Sequence, residues 1–571
     1  MDPAQALLTP RNTAHRQYEA LRAYLVGRMP GPDVAKRYGY TYGALQQLVH
    51  QFRRQPDRQF FVDSPRPGVK TDDAIRQRII ELRKQNLSIY DISEALKTEG
   101  ISRTPVAVGE LLRKEGFSKL PRRGDDERPP GTKPTAADRA DARALSLEPR
   151  TVRTKFGGLF LFLPALAEIG FDRVIGHCGL PGTQAIPASH ALRSLLALKL
   201  FGTQRHLHVM SAVLDEGLAL FAGLNVIPKR SFLTEYSCRI EPECYPKLMK
   251  RWFDALMGLG LKHGGSFDLD FHTIPFHGED ALVEKHYVSK RSRRQKGILA
   301  FLAQDGEHRF FCYANSDLRK DQQDDEVLAF VRFWKGRTGK LPEELIFDSR
   351  LTTHANLNRL NQQGVQFITL RRRHPQLLHE LLARPPSAWR RIELAGVSRL
   401  YKTPRVLDDE VTLADYTGPI RQITVSDLGH EEPTLLLTNQ LRRSPAALIG
   451  RYAKRMLIEN NIEDGVNFFH MDALSSAVAL KVNCDLQLTL MASSLYRYLG
   501  QRIGHGYETV KSRHLFRDFI DATAHIDIGA KAISVHFQKR AHNPLLVAAG
   551  LDKTDVRIPW LGNRPLQLVF G

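Results

Sequence analysis

The chain has 571 residues, too many for one hydrophobic core; at about 150 residues per domain it divides into three or four units. Hydrophobic residues make up 42% and charged residues 25%, an ordinary balance that excludes a wholly disordered chain. The formal net charge of +20 points to a polyanionic partner, with nucleic acid the first candidate.

Two short helical units open the chain. RQYEALRAYLVG from Arg16 has helical periodicity; PGPDVAKRYG and YTYGALQQLVHQFRRQ then predict a short helix, a break at Gly39 and a basic helix. That is the pattern of a helix-turn-helix. A second unit repeats the plan: TDDAIRQRIIELRKQN from the N-cap candidate Thr71, SIYDISEALKTEG from Ser88, and RTPVAVGELLRKEGF with Thr104 as N-cap and Pro105 in the first turn. The third helix of each is the natural recognition helix, and Arg103, Arg113 and Lys114 flank the second one. Residues 1–117 are therefore expected to be a tandem DNA-binding region, although three-helix units of this size also serve as plain packing modules. Residues 118–150, rich in Pro and charge and poor in aromatics, predict a linker.

Residues 151–262 are helical and hydrophobic in pattern, as in ASHALRSLLALKLFG, and predict an all-α support region without chemistry. The longest apolar run, FGGLFLFLPALAEIG from Phe156, is shorter than the roughly 20 residues a membrane span needs, so it predicts core and no membrane partner. The N-terminal stretch lacks a basic region followed by an apolar run, so no signal peptide is expected. The five cysteines (Cys178, Cys238, Cys244, Cys312 and Cys484) are scattered without a C-x-x-C pair. They predict neither a zinc site nor a disulfide framework, and fit a reducing compartment such as the cytoplasm.

The character changes at Ser266. SFDLDFHTIPFHG reads as a strand, and KGILAFLAQDGEHRFFCYANSD as two strands joined at Asp305-Gly306. A helix, the strand EELIFDSR, a helix and the strand VQFITLRRR complete an α/β pattern with a mixed sheet. The expected organisation is a core in two parts, 263–388 and 441–521, interrupted by a β-rich insertion at 389–440 and followed by a small β element at 522–571. A long helix opens at Ser444 and carries YAKRMLIENN, where Tyr452, Arg455 and Glu459 share one helical stripe.

Asp270 and Asp348 both lie at the ends of predicted strands, where side chains of open α/β sheets point into the functional crevice. Together with Glu459 they make three carboxylates that suit hard divalent cations such as Mg²⁺. Two such ions about 4 Å apart can activate an attacking oxygen and stabilise a leaving one in phosphodiester cleavage. Taken singly, each has a plainer reading: an Asp after a strand is a cap or turn residue, and Glu459 with Arg455 is an i, i+4 pair.

Three blocks give the combination its meaning. DFHTIPFHG, LIFDSRLTTHANLNRL and YAKRMLIEN resemble the three catalytic blocks of bacterial insertion-sequence transposases of the DDE class, in the branch with a Tyr-(2)-Arg-(3)-Glu signature and a β-rich insertion in an RNase H-like core. The resemblance covers about 150–571 and implies an RNase H-like fold, preceded by all-α helix-turn-helix units. It implies Asp270, Asp348 and Glu459 as catalytic residues and metal ligands, two Mg²⁺ (or Mn²⁺) ions per site, and Tyr452 and Arg455 on the DNA backbone. Asp268 and Asp280 remain rivals for the first position. Where the signature continues to a Lys, this chain has Val466.

The resemblance also implies that Trp389 could receive a flipped base, beside its plainer reading as a core residue. Two basic clusters are expected to line a DNA path: SKRSRRQKG, with Lys290, Arg291, Arg293 and Arg294, and the run Arg371, Arg372, Arg373. The implied function is cut-and-paste transposition on double-stranded DNA, element ends and target alike, by a homodimer in the nucleoid of a bacterial cytoplasm. Two alternatives stay open: a catalytically silent DNA-binding descendant, and an RNase H-like nuclease that cuts without strand transfer.

Overall fold

The structure, a computed structural model, describes residues 13–56, 60, 73–85, 87–117, 135–276, 284–288, 293–319, 321–394, 402–429, 433–473 and 479–571. The chain forms two compact units, Met1–Thr135 and Ala136–Gly571.

The first unit holds two three-helix groups: α1 (Thr13–Leu25), α2 (Gly31–Tyr38) and α3 (Tyr42–Arg54), then α4 (Asp73–Lys84), α5 (Ile89–Thr98) and α6 (Pro105–Lys114). Each group has its own small core, Leu21, Val34, Leu45 and Leu48 in the first and Ile79, Leu82, Ile92, Leu96 and Val108 in the second. Local chemistry sets the ends. Gly39 stops α2 at φ +68°, which a residue with a Cβ adopts only at a cost. Ser88 and Asp91 close a reciprocal capping box on α5, and Thr104 caps α6 ahead of Pro105. Thr71 lies outside the described residues.

The second unit begins earlier than the predicted linker end. The Ala142 amide already donates to the Ala185 carbonyl at 2.7 Å. Its first strand, β1 (Arg150–Thr154), departs from the all-α reading of 151–262. It pairs antiparallel with β12 (Ala524–Ile528), from Arg150 against Ile528 to Thr154 against Ala524. With β13 (Ile533–Phe537), β14 (Val556–Ile558) and β15 (Arg564–Phe570) it makes a mixed sheet in the order β1-β12-β13-β15-β14. The β element at the end of the sequence is therefore completed by a strand from far upstream. Between them lies a helical layer, including α7 (Ala188–Leu200) and α8 (Cys244–Gly258).

The larger sheet follows the order β3-β4-β2-β6-β7-β11-β10-β9-β8, with β5 on β4. Its strands are β2 (Ser266–Pro275), β3 (Lys285–Val288), β4 (Arg293–Asp305), β5 (Phe311–Asn315), β6 (Glu344–Ile346), β7 (Gln366–Leu370), β8 (Arg390–Arg391), β9 (Arg405–Val411), β10 (Ile420–Ser426) and β11 (Thr434–Thr438). Helices α9 (Glu326–Thr338) and α10 (His354–Gln362) make the crossovers between the parallel strands β2, β6 and β7. The β-rich stretch is continuous with this sheet, because β11 pairs antiparallel with β7. The turn after β4 is longer than the two residues expected, and includes Arg309 at φ +59°.

Next come α11 (Pro445–Lys454), α12 (Met456–Asn467) and α13 (Ala479–Ile503). Leu486, Leu488, Leu490, Leu495 and Leu499 of α13 are all buried, as in a helix covered on every side. Two of its buried polar residues are partnered: Asp485 pairs with Lys199 at 2.8 Å, and Ser494 accepts from the Trp252 indole at 2.9 Å.

Candidate active site

The parallel pairing of β2 with β6 aligns Asp268 with Ile346. The paired stretch ends there: Asp348 lies two residues beyond β6, and Asp270, predicted at a strand end, falls in the middle of β2, which runs on to Pro275. With a side-chain period of two, Asp268 and Asp270 share one face of β2. Arg451 of α11 and Arg455, at the junction of α11 and α12, supply the cations that meet this face, and Glu459 lies in the first turn of α12, where the helix dipole favours a carboxylate.

The helix predicted from Ser444 is interrupted at Arg455, between α11 and α12. The Arg455 amide donates to the Tyr452 carbonyl at 3.0 Å and the Ile458 amide to the Arg455 carbonyl at 2.9 Å, a tighter spacing than an α-helix. The Arg455 guanidinium lies 3.4 Å from an Asp270 oxygen and 3.2 Å from a Glu459 oxygen, and 5.7 Å from the centre of the Tyr452 ring. Two of the three carboxylates thus share one cation.

The electrostatics include the third. Burial raises the Asp270 carboxyl pKa above its ordinary value; Arg455 opposes the rise, and Glu459 and Asp348 add to it. Burial works against the Arg455 charge, but Tyr452, Asp270, Glu459 and Asp348 outweigh it and hold its pKa up. Burial pushes the Tyr452 phenol to about 12. Asp348 accepts a hydrogen bond from the Ser349 hydroxyl at 3.0 Å. Among the described residues, no three acidic, histidine or cysteine side chains are gathered tightly enough to hold a metal ion.

Sequence reasoning missed the support beneath this cluster. Arg451 donates to Asp268 at 2.8 Å, to Glu344 at 3.1 Å and to the Ser266 hydroxyl at 2.8 Å. Glu344 also accepts from Gln440 at 2.7 Å and Arg443 at 2.6 Å. One guanidinium therefore joins α11 to β2 and β6 just ahead of all three carboxylates. Burial raises the Asp268 pKa against the pull of Arg451. For Glu344, burial is outweighed by the hydrogen bonds of Ser266 and Gln440 and the charges of Arg451 and Arg443, which hold the carboxyl below its ordinary range. Asp268 is thus engaged in a buried ion pair, and Asp280 lies outside the described residues. His272, next on the Asp270 face, bonds Asp472 at 2.7 Å.

The other predicted contacts are more dispersed. Lys290 and Arg291 lie outside the described residues; Arg293 and Arg294 open β4. Arg371 is half-buried and donates to Gln422 at 2.6 Å, whereas Arg372 and Arg373 are exposed. Trp389 is half-buried against Leu377, Leu381, Leu407 and Leu435, with Arg405 5.8 Å from its ring centre. Val466 packs on the core. In the first unit, Arg113 and Lys114 are exposed at the end of α6, and the Arg103 carbonyl accepts from Ser93 at 2.6 Å. All five cysteines are free thiols, and no helix among the described residues is long and apolar enough to cross a membrane.

Fold and site together define a mixed α/β protein with two mixed sheets and a carboxylate–arginine cluster beside the central parallel strands. No protein-family model and no curated protein matches the chain. Among solved structures, the chain is similar to a piggyBac transposase in a synaptic complex with hairpin DNA. The two are 11% identical with a TM-score of 0.34, and the match covers 65% of this chain and 82% of that one. A likeness that distant assigns neither family nor activity.

Proposed function

We propose that the chain is a DNA transposase of the DDE class with an RNase H-like core in its second unit. It would bind the terminal inverted repeats of its own element, hydrolyse a phosphodiester to free a 3′-OH, and join that end to target DNA. The observation that supports this reading is the Arg455 guanidinium held between Asp270 of β2 and Glu459 of α12, with the charge of Asp348, two residues beyond β6, acting on the same group. The basic chain and the paired three-helix groups, with Arg103, Arg113 and Lys114, suit the DNA partner. Bringing two element ends together calls for a homodimer on DNA, acting in a bacterial cytoplasm.

The donor set fits a divalent metal in kind: three carboxylates, two already turned toward one cation. Asp270, Asp348 and Glu459 would hold two Mg²⁺ or Mn²⁺ ions, whose charge would favour the attacking and leaving oxygens. Arg455 would hold a phosphate near the cut, since its planar fork meets phosphate oxygens two at a time, and Tyr452 would buttress it.

Arg455 then has two sets of anions to serve, carboxylates in the free protein and phosphate in the complex. Arg455→Gln is expected to bind Mn²⁺ several-fold more tightly than the parent when DNA is absent, read by electron paramagnetic resonance of free Mn²⁺. Equal or weaker binding would show that the guanidinium does not compete for the carboxylates.

The deciding experiment mixes the full chain with labelled element ends and Mg²⁺ or Mn²⁺. Nicked ends and joined products are expected. Binding without cleavage would point to a silent descendant, and cleavage without joining to a nuclease.

A further inference from the structure

Helix α12 carries a second acid on the face of Glu459. Glu463 is one turn further on, about 6 Å along the axis. Its carboxylate is 2.7 Å from the ammonium of Lys511, in a loop between α13 and a short helix at Ser512–Leu515. The loop borders an open cleft of about 570 Å³, whose lining includes His505, Lys511, Arg513, His514 and Asp518. Asp518 is the acid of that lining, and it is already engaged by Arg517 at 2.8 Å and by the Tyr507 hydroxyl at 3.1 Å. Arg513 is exposed. The cleft therefore presents cations without a matching set of free acids.

The loop is also held in shape, which a random basic surface segment is not. The Ser512 amide donates to buried Asp464 of α12 at 2.8 Å, and buried Arg497 of α13 donates to the Glu508 carbonyl. A Cβ on Gly500 would lie 2.4 Å from the Tyr507 carbonyl oxygen, so α13 and the loop touch backbone to backbone. These anchors come from the helix that carries Glu459 and from the helix behind it. They hold the segment that carries Lys511, whose ammonium pairs with Glu463 one turn along α12 from Glu459. The Lys511–Glu463 pair is half-exposed, and such pairs are weak enough to exchange for a stronger anion.

We infer that this cleft is a backbone clamp for the DNA strand passing the active site, with Lys511 and Arg513 as phosphate contacts. The inference rests on the proposed DNA chemistry but concerns a different surface. The occupant is a polyanion: the lining carries Lys511 and Arg513 while its acid Asp518 is already engaged, and duplex DNA supplies a charge about every 1.7 Å of axis.

The test measures the salt dependence of duplex-oligonucleotide binding by the full chain, for the parent, Lys511→Gln/Arg513→Gln and Glu463→Gln. Neutralising both cations is expected to flatten the plot of log affinity against log salt by about 1.8, twice the roughly 0.9 per phosphate contact. Glu463→Gln, which frees Lys511, is expected to tighten binding at low salt. Both changes are on the surface, and an unchanged thermal midpoint verifies the fold. An unchanged slope in the double variant overturns the clamp, whether or not the parent cleaves DNA. A parent that binds with the full slope yet never cleaves overturns the enzyme reading and leaves the clamp standing.

Discussion

Asp270→Asn, Asp348→Asn and Glu459→Gln are each expected to lower metal-dependent cleavage of element ends by about 10³-fold or more, a barrier increase of about 4 kcal/mol. Each exchange keeps the shape of the side chain and removes one charged oxygen donor. Affinity for the same DNA is expected to change by no more than a few-fold, because the acids repel phosphate. Any two changes together should cost little more than one, as groups that act as a unit do not add. Asp268→Asn separates the rival first ligand. Its carboxylate is 1% exposed and bonded to Arg451, so its variant is expected to lose stability first and to regain cleavage at low temperature. Full cleavage by Asp270→Asn would remove the basis for the site.

Much of the central sheet could be read locally, because β6 and β7 are short apolar runs and β2 alternates apolar and polar residues from Phe267 to His272. The pairing of strands could not. Nothing in RQITVSDLG or EPTLLLTN states that β11 will add to β7 and so extend the core sheet. RTVRT falls at the edge of a stretch whose pattern predicts helix, since five residues with two buried positions acquire a period only beside a partner some 370 residues away. The interruption at Arg455 carries no Gly or Pro to announce it. The Tyr452, Arg455 and Glu459 stripe was visible from spacing alone, and the same spacing contained an unused signal. Arg451 stands four residues before Arg455, and Asp268 two before Asp270, so the helix and strand periods that align one ion pair align the other.

That second pair predicts the larger effect on folding. Arg451→Met keeps most of the side-chain volume and removes the charge from a site where Asp268 is 1% and Glu344 8% exposed. Removing one partner of a buried ion pair typically costs about 3–5 kcal/mol, because the remaining charge is left without solvent or counter-ion. Glu344 retains Arg443 and Gln440, whereas Asp268 retains no comparable cation, and its second oxygen already lacks a hydrogen-bond partner. Most of the loss should therefore arise at Asp268. Adding Asp268→Leu to Arg451→Met is expected to recover a large part of the stability, since an apolar pair can replace a buried ion pair at little cost. Urea midpoints of the parent, single and double variants measure this. Arg451 also ties α11, the helix just ahead of Glu459, to β2 and β6, so the recovered double variant should fold yet cleave poorly. A double variant that regains both stability and cleavage would show that packing alone aligns Asp270, Asp348 and Glu459, with no help from the buried guanidinium.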